Sequence, residues 1–141
     1  MQDLSKEDIK KIIPHREPML LVDRCEADKT DEKSYFGFYT IKGDEFFLQG
    51  HFPGNPVVPG VMLCEMMAQS CCPLFNEPGA TPLFTSLNNV KFRGMVKPGD
   101  TVKFHVTLTR KNGPFYFATG KGFVNDKMVV AADLSFAAVK G

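Results

Sequence analysis

Gly60-Val61-Met62-Leu63-Cys64-Glu65-Met66-Met67-Ala68-Gln69-Ser70-Cys71-Cys72 is the stretch on which the fold turns. It is rich in helix-compatible apolar residues and contains no Lys or Arg, so it reads as a helix buried at the centre of the molecule rather than one lying on its surface. Pro59 suits a helix start and Pro73 an end, which gives about 20 Å of helix at 1.5 Å per residue. Its chief polar members are Glu65 and Gln69. Four residues apart, they share one face, so a narrow polar stripe runs along an otherwise apolar cylinder.

A buried helix needs a sheet around it, and the flanking sequence supplies strands. Downstream, residues 83–92, 101–110, 115–124 and 128–139 are strand-like. Turn signals separate them at Lys97-Pro98-Gly99-Asp100, Lys111-Asn112-Gly113-Pro114 and Asn125-Asp126-Lys127. Spacing this short favours antiparallel meanders over parallel units with crossover helices. Upstream, Ser5-Lys6-Glu7-Asp8 has the form of a capping box opening a short helix that stops before Pro14. Residues 19–22 and 34–41 then read as a hairpin around the charged turn 28–33. The expected class is α+β, one curved antiparallel sheet wrapped around one long central helix, with residues 1–141 as a single domain and no internal repeat.

Composition agrees with one core: 141 residues, 43% hydrophobic and 23% charged. The amino-terminal eleven residues are charged from Asp3 onward, which does not read as a secretory signal and sets a cytoplasmic expectation. No apolar run reaches the roughly 18 residues that a membrane-spanning helix needs. Cys25, Cys64, Cys71 and Cys72 show no CxxC spacing and no disulfide framework, so they read as reduced core residues with no metal site expected. Charge is uneven: residues 91–127 carry eight Lys/Arg against two Asp/Glu, net +6, whereas residues 1–90 are net −5. Such a basic segment either docks an acidic partner or keeps outer strand faces in solution.

The chemistry sits just before the helix, in His51-Phe52-Pro53-Gly54-Asn55-Pro56-Val57-Val58-Pro59-Gly60. Three prolines pin φ along this loop and bias the preceding residues away from helix, so the loop can hold one histidine still. A held imidazole titrates near neutrality and suits a proton acceptor. Glu65, expected inside the apolar helix, would be kept protonated by desolvation and could donate. Gly60 exposes unpaired N–H groups at the helix start, where a carbonyl oxygen gaining negative charge is stabilised. Together these parts suit abstraction of a proton next to a carbonyl with acid-assisted loss of a β-hydroxyl. The structural alternative makes Gly60 a helix boundary and Glu65 a hydrogen-bonded core acid. No GxSxG, Walker A, GxGxxG or HExxH pattern occurs. A Cys64 nucleophile would sit in apolar surroundings that raise its thiol pKa, and no recognised motif supports nucleic-acid binding.

At these residues the chain resembles the 3-hydroxyacyl-ACP dehydratases of bacterial type II fatty-acid synthesis, the FabZ family with the hot-dog fold. The resemblance runs nearly full length. It is carried by Ile13-Pro14-His15-Arg16 leading into Met19-Leu20-Leu21-Val22-Asp23-Arg24, the loop from Gly50 to Gly60, Glu65-Met66-Met67-Ala68-Gln69, Val90-Lys91-Phe92-Arg93 and Val96-Lys97-Pro98-Gly99-Asp100. The resemblance implies that His51 is the catalytic histidine, Glu65 the catalytic acid, the Gly60 N–H the donor to the thioester carbonyl, and the Val57 carbonyl the group orienting His51. It also implies a homodimer whose sites each draw His51 and Glu65 from different subunits; such dimers commonly trimerise.

The implied substrate is a (3R)-3-hydroxyacyl chain carried by acyl carrier protein, dehydrated to the trans-2-enoyl thioester with no dissociable cofactor. That acidic carrier gives the basic segment a partner, with Lys91, Arg93 and Lys97 as docking residues. Phe52, Met62 and Phe92 are candidates for lining the acyl tunnel, each equally readable as core. Two departures stand out. Gly94 occupies a position that is basic in many members, and Thr81-Pro82-Leu83-Phe84 lacks the tyrosine that gates the tunnel in several. Other readings are an enoyl isomerase or thioesterase on the same fold, and a noncatalytic carrier-binding subunit.

Overall fold

The structure, a computed structural model, describes residues 2–49, 54, 56–75, 77 and 79–140. Alternation of inward apolar and outward polar side chains builds its strands. In β4 (Thr101–Asn112), Val102, Phe104 and Val106 are buried while Lys103 is exposed. In β5 (Phe115–Val124), Tyr116, Ala118, Gly120 and Gly122 take the inward positions. With β1 (Arg24–Ala27), β2 (Ser34–Thr40), β3 (Ala80–Phe92) and β6 (Lys127–Lys140), they form among the described residues one six-stranded sheet in the order β1-β2-β4-β5-β6-β3. All five pairings are antiparallel. Of the four downstream strands expected as a meander, β4-β5-β6 form one, whereas β3 is not beside its sequence neighbour β4 and closes the far edge next to β6.

Turn chemistry fixes the registers. Asn125 and Asp126 both have positive φ, 49° and 66°, the two-residue hairpin geometry that matches strand twist between β5 and β6. Gly99, at φ 93°, turns the chain into β4, with Lys97 N donating to Asp100 Oδ2 at 2.9 Å. Two register shifts against β6, between Phe84 and Ser86 and between Asn88 and Lys91, bend β3.

The central helix α2 spans Gly60–Gln69 and buries Leu63, Cys64, Met66, Met67 and Gln69. It lies so close to the sheet that a Cβ at Gly120 would stand 2.5 Å from Met67 Sδ, and one at Gly37 would stand 2.2 Å from Ser70 Oγ. Glycine at these strand positions lets the curved sheet touch the helix. The short helix α1 (Lys6–Lys10) carries the expected capping box, Asp8 N donating to Ser5 Oγ at 3.2 Å and Ser5 N to Asp8 Oδ2 at 3.0 Å.

Two expectations are corrected. The helix stops at Gln69, and a 3-10 turn over Cys72–Leu74 takes Pro73 in its first positions. Residues 19–22 are not a strand; the hairpin is made by β1 and β2, beginning at Arg24. The apolar run Leu20-Leu21-Val22 is buried as expected, but the backbone on either side of Leu20 is claimed by the Gln69 side chain rather than by a neighbouring strand.

Candidate active site

Gln69 organises the polar stripe of α2. Its amide nitrogen donates to Glu65 Oε2 at 2.8 Å and to the Met19 carbonyl at 2.7 Å, while its Oε1 accepts from Leu21 N–H at 2.7 Å. One buried side chain thereby orients the carboxyl and fastens the 19–21 segment across the helix. The four-residue spacing makes the first contact, since residues i and i+4 stand one above the other on a helix.

His15 approaches from the other side, its Nε2 3.5 Å from Glu65 Oε2. Both side chains are 21% exposed and line a cavity of about 60 Å³ whose walls are otherwise largely apolar, among them Ile13, Ala68, Phe75, Phe84 and Phe136. Sequence reasoning has burial keeping Glu65 protonated, and the structure reverses that direction. The His15 contact holds the carboxyl below its ordinary range, outweighing the burial that pushes it up, and the Gln69 N–H adds to the lowering. Burial does push the Cys64 thiol up, as expected, so it does not form a ready thiolate. All four cysteines are buried and free.

His51 and Phe52 lie outside the described residues. Val57 is buried and Gly60 is the first residue of α2. The Phe92 ring lies against Gly60, 2.7 Å from where a Cβ would be, and Phe92 is 51% exposed. Met62 packs partly buried on the core, and neither it nor Phe92 belongs to the cavity beside Glu65. Lys91, Arg93 and Lys97 are exposed at the end of β3 and in the loop after it. Among the described residues no three His, Cys, Asp or Glu side chains cluster to hold a metal ion, and no helix is long and apolar enough to cross a membrane.

The sequence reading gave His15 no role of its own. Its one signal was Pro14, which fixes the backbone entering His15, but nothing local ties residue 15 to residue 65.

The FabA-like domain family matches residues 13–133. A curated relative from Halalkalibacterium halodurans, named 3-hydroxyacyl-[acyl-carrier-protein] dehydratase FabZ, is 42% identical over 95% of this chain and 98% of its own length. The chain belongs to the FabZ family. Relatives of the same name from Clostridium beijerinckii, 38% identical over 95% of this chain and 98% of theirs, and Fusobacterium nucleatum, 42% identical over 92% and 93%, agree. As a FabZ-family chain it shares its fold with more distant structures. A chain of the dehydratase heterocomplex ApeI:P from Xenorhabdus doucetiae superposes with a TM-score of 0.78 at 17% identity, covering 92% of this chain and 90% of that one. A fluoroacetyl-CoA-specific thioesterase, FlK, superposes with 0.63 at 16% identity, covering 75% and 84%. At that identity the likeness concerns the fold alone, which is the hot-dog fold of a FabZ-family member.

Proposed function

We propose that this FabZ-family chain dehydrates (3R)-3-hydroxyacyl-ACP to trans-2-enoyl-ACP in fatty-acid biosynthesis. The observation that carries the reading is the near full-length identity to FabZ dehydratases, 42% over 95% of the chain. His51 acts as the base. It removes the proton next to the thioester carbonyl, and the electron pair moves onto the carbonyl oxygen, which the Gly60 N–H and the positive end of α2 stabilise. The enolate then collapses to form the carbon–carbon double bond while Glu65 gives its proton to the departing β-hydroxyl, which leaves as water. No dissociable cofactor enters this sequence.

The low-lying carboxyl of Glu65 is compatible with this role once the site is covered. A second subunit and an acyl chain over the cavity displace water from Glu65, and desolvation raises a carboxyl. The second subunit pairs along β3, the strand at the sheet's end, which presents Leu83, Phe84, Leu87 and Phe92 to solvent. An apolar, unpaired edge of this kind is completed by a copy of itself. Each site then takes His51 from one subunit and Glu65 from the other. Lys91, Arg93 and Lys97 are the docking cations for acyl carrier protein, whose acidity complements them. The cytoplasm is the proposed compartment.

The test is to incubate the purified chain with 3-hydroxyacyl-ACP and follow enoyl-thioester absorbance and product mass. A loss of one water with the thioester intact is expected. Free acid with released thiol would assign a thioesterase, a double bond at the 3-position an isomerase, and carrier binding without product a noncatalytic subunit.

A further inference from the structure

We propose that His15 is a positioning residue for Glu65, holding the Oε2 oxygen so that Oε1 carries the proton used in the elimination. The inference rests on Glu65 being the acid, as proposed above.

His15 is itself braced. Pro14 precedes it, Ile13 is buried, and the Arg16 guanidinium donates to the carbonyls of Ile13 at 3.1 Å, His15 at 2.7 Å and Lys10 at 3.1 Å. These contacts fix the backbone from which the imidazole reaches Glu65.

The ring then has little choice of orientation. Its Nδ1 is buried and, among the described residues, has no hydrogen-bond partner. A buried N–H left without an acceptor is costly, so the tautomer with hydrogen on Nε2 is favoured. That hydrogen faces Glu65 Oε2 across 3.5 Å, the long limit of a hydrogen bond but well within range of charge-dipole attraction. Gln69 donates to the same oxygen. With the Gln69 N–H bonded to Oε2 and the His15 Nε2–H facing that same oxygen, added protons go to Oε1, and the carboxyl is presented in one orientation. An acid held in a single geometry retains the alignment advantage that a freely rotating one loses.

Among the described residues lining this cavity, no other charged group competes for the contact. The cavity wall from α2 and the turn after it contributes Cys71, whose thiol burial pushes up, and Cys72, whose thiol the contact with Cys25 pushes up with burial adding to it, so both stay protonated. The elements facing across the cavity, β3 and β6, contribute Pro82, Phe84 and Phe136, none of which titrates. Arg16 is turned to backbone carbonyls.

The test is nuclear magnetic resonance of the full chain with carbon-13 in the glutamate carboxyls, the Glu65 signal being assigned by its loss in Glu65→Gln. His15→Phe is expected to raise the Glu65 titration midpoint, and His15→Gln, which restores an N–H donor, to return it toward the wild-type value. Turnover in His15→Phe should fall about tenfold, with KM within about twofold, as the carboxyl loses its fixed orientation. An unmoved midpoint in a folded His15→Phe overturns the inference. Nitrogen-15 shifts of the wild-type imidazole test it without any variant: hydrogen on Nε2 supports it, and hydrogen on Nδ1 alone overturns it. A raised midpoint with unchanged turnover would uphold the His15 contact and count against Glu65 as the acid, which separates the two readings.

Discussion

Gln69 stands between Glu65 and the backbone of the 19–21 segment, 2.8 Å from the carboxyl and 2.7 Å from both Leu21 N and the Met19 carbonyl. Positioning an acid and closing the core are thus done by the same amide. Gln69→Leu should therefore lose both. The Leu21 N–H, on a fully buried residue, would be left without its acceptor, costing about 1–3 kcal/mol. Urea unfolding should show a lower midpoint, and an unchanged one would place the 19–21 segment under other control.

Gly60 and Phe92 offer a second test. A Cβ at position 60 would meet the Phe92 ring at 2.7 Å, a contact with the far end of a side chain and not with backbone, so rotation of that one ring relieves it. Gly60→Ala should keep stability within about 1 kcal/mol of wild type and lose most turnover, because the methyl group crowds the approach to the helix N–H. Adding Phe92→Ala should leave turnover low. Full recovery in the double variant would mean that the methyl acts through Phe92 and not on the substrate carbonyl.

Acid should act through Asp28. Its carboxylate accepts from Thr30 Oγ1 at 2.6 Å and Thr30 N at 2.9 Å, with His105 Nε2 at 2.9 Å. These contacts lower its pKa from 3.8 to about 2. A lowered folded pKa contributes stability that is complete above the unfolded value and lost as pH falls through the folded one. Stability should thus decline between pH 3.8 and about 2. Asp28→Asn should be less stable near neutrality and flatter across that window, as measured by chemical denaturation at each pH. An equally steep decline in Asp28→Asn would assign the loss to other carboxylates.

The edge of β3 carries the oligomer in this account. Leu87→Lys places a charge on the exposed apolar row of that strand. Sedimentation should show dissociation to folded monomers, with turnover lost because each site lacks its second subunit. A monomer of full activity would place His51 and Glu65 of one chain in a common site.

Much of this arrangement was legible in the sequence, and the reason differs by element. The capping box at Ser5, the turn at Asn125-Asp126 and the Glu65/Gln69 stripe depend on residues within four positions of one another, so local chemistry decides them. The 19–22 run reads as a strand because apolar patterning reports burial and not what the backbone bonds to, and the partner of Leu21 N–H is a glutamine 48 residues away. Pro73 marks the helix end three residues too late because it is tolerated in the first positions of the 3-10 turn that follows. His15 escaped notice as part of the site for the same reason as the strand error: its contact with Glu65 spans 50 residues of chain. The direction of the Glu65 shift followed from that omission, since burial without His15 would raise the carboxyl.

Turnover of 3-hydroxyacyl-ACP by Glu65→Gln is the measurement that bears most directly on the account. Glutamine keeps the size of the side chain and its place over Gln69 but cannot give up a proton to the departing hydroxyl. The expected result is a folded, dimeric protein whose kcat falls by a factor on the order of 10²–10⁴. A Glu65→Gln enzyme turning over near the wild-type rate would contradict the account, because the elimination would then draw its proton from another group.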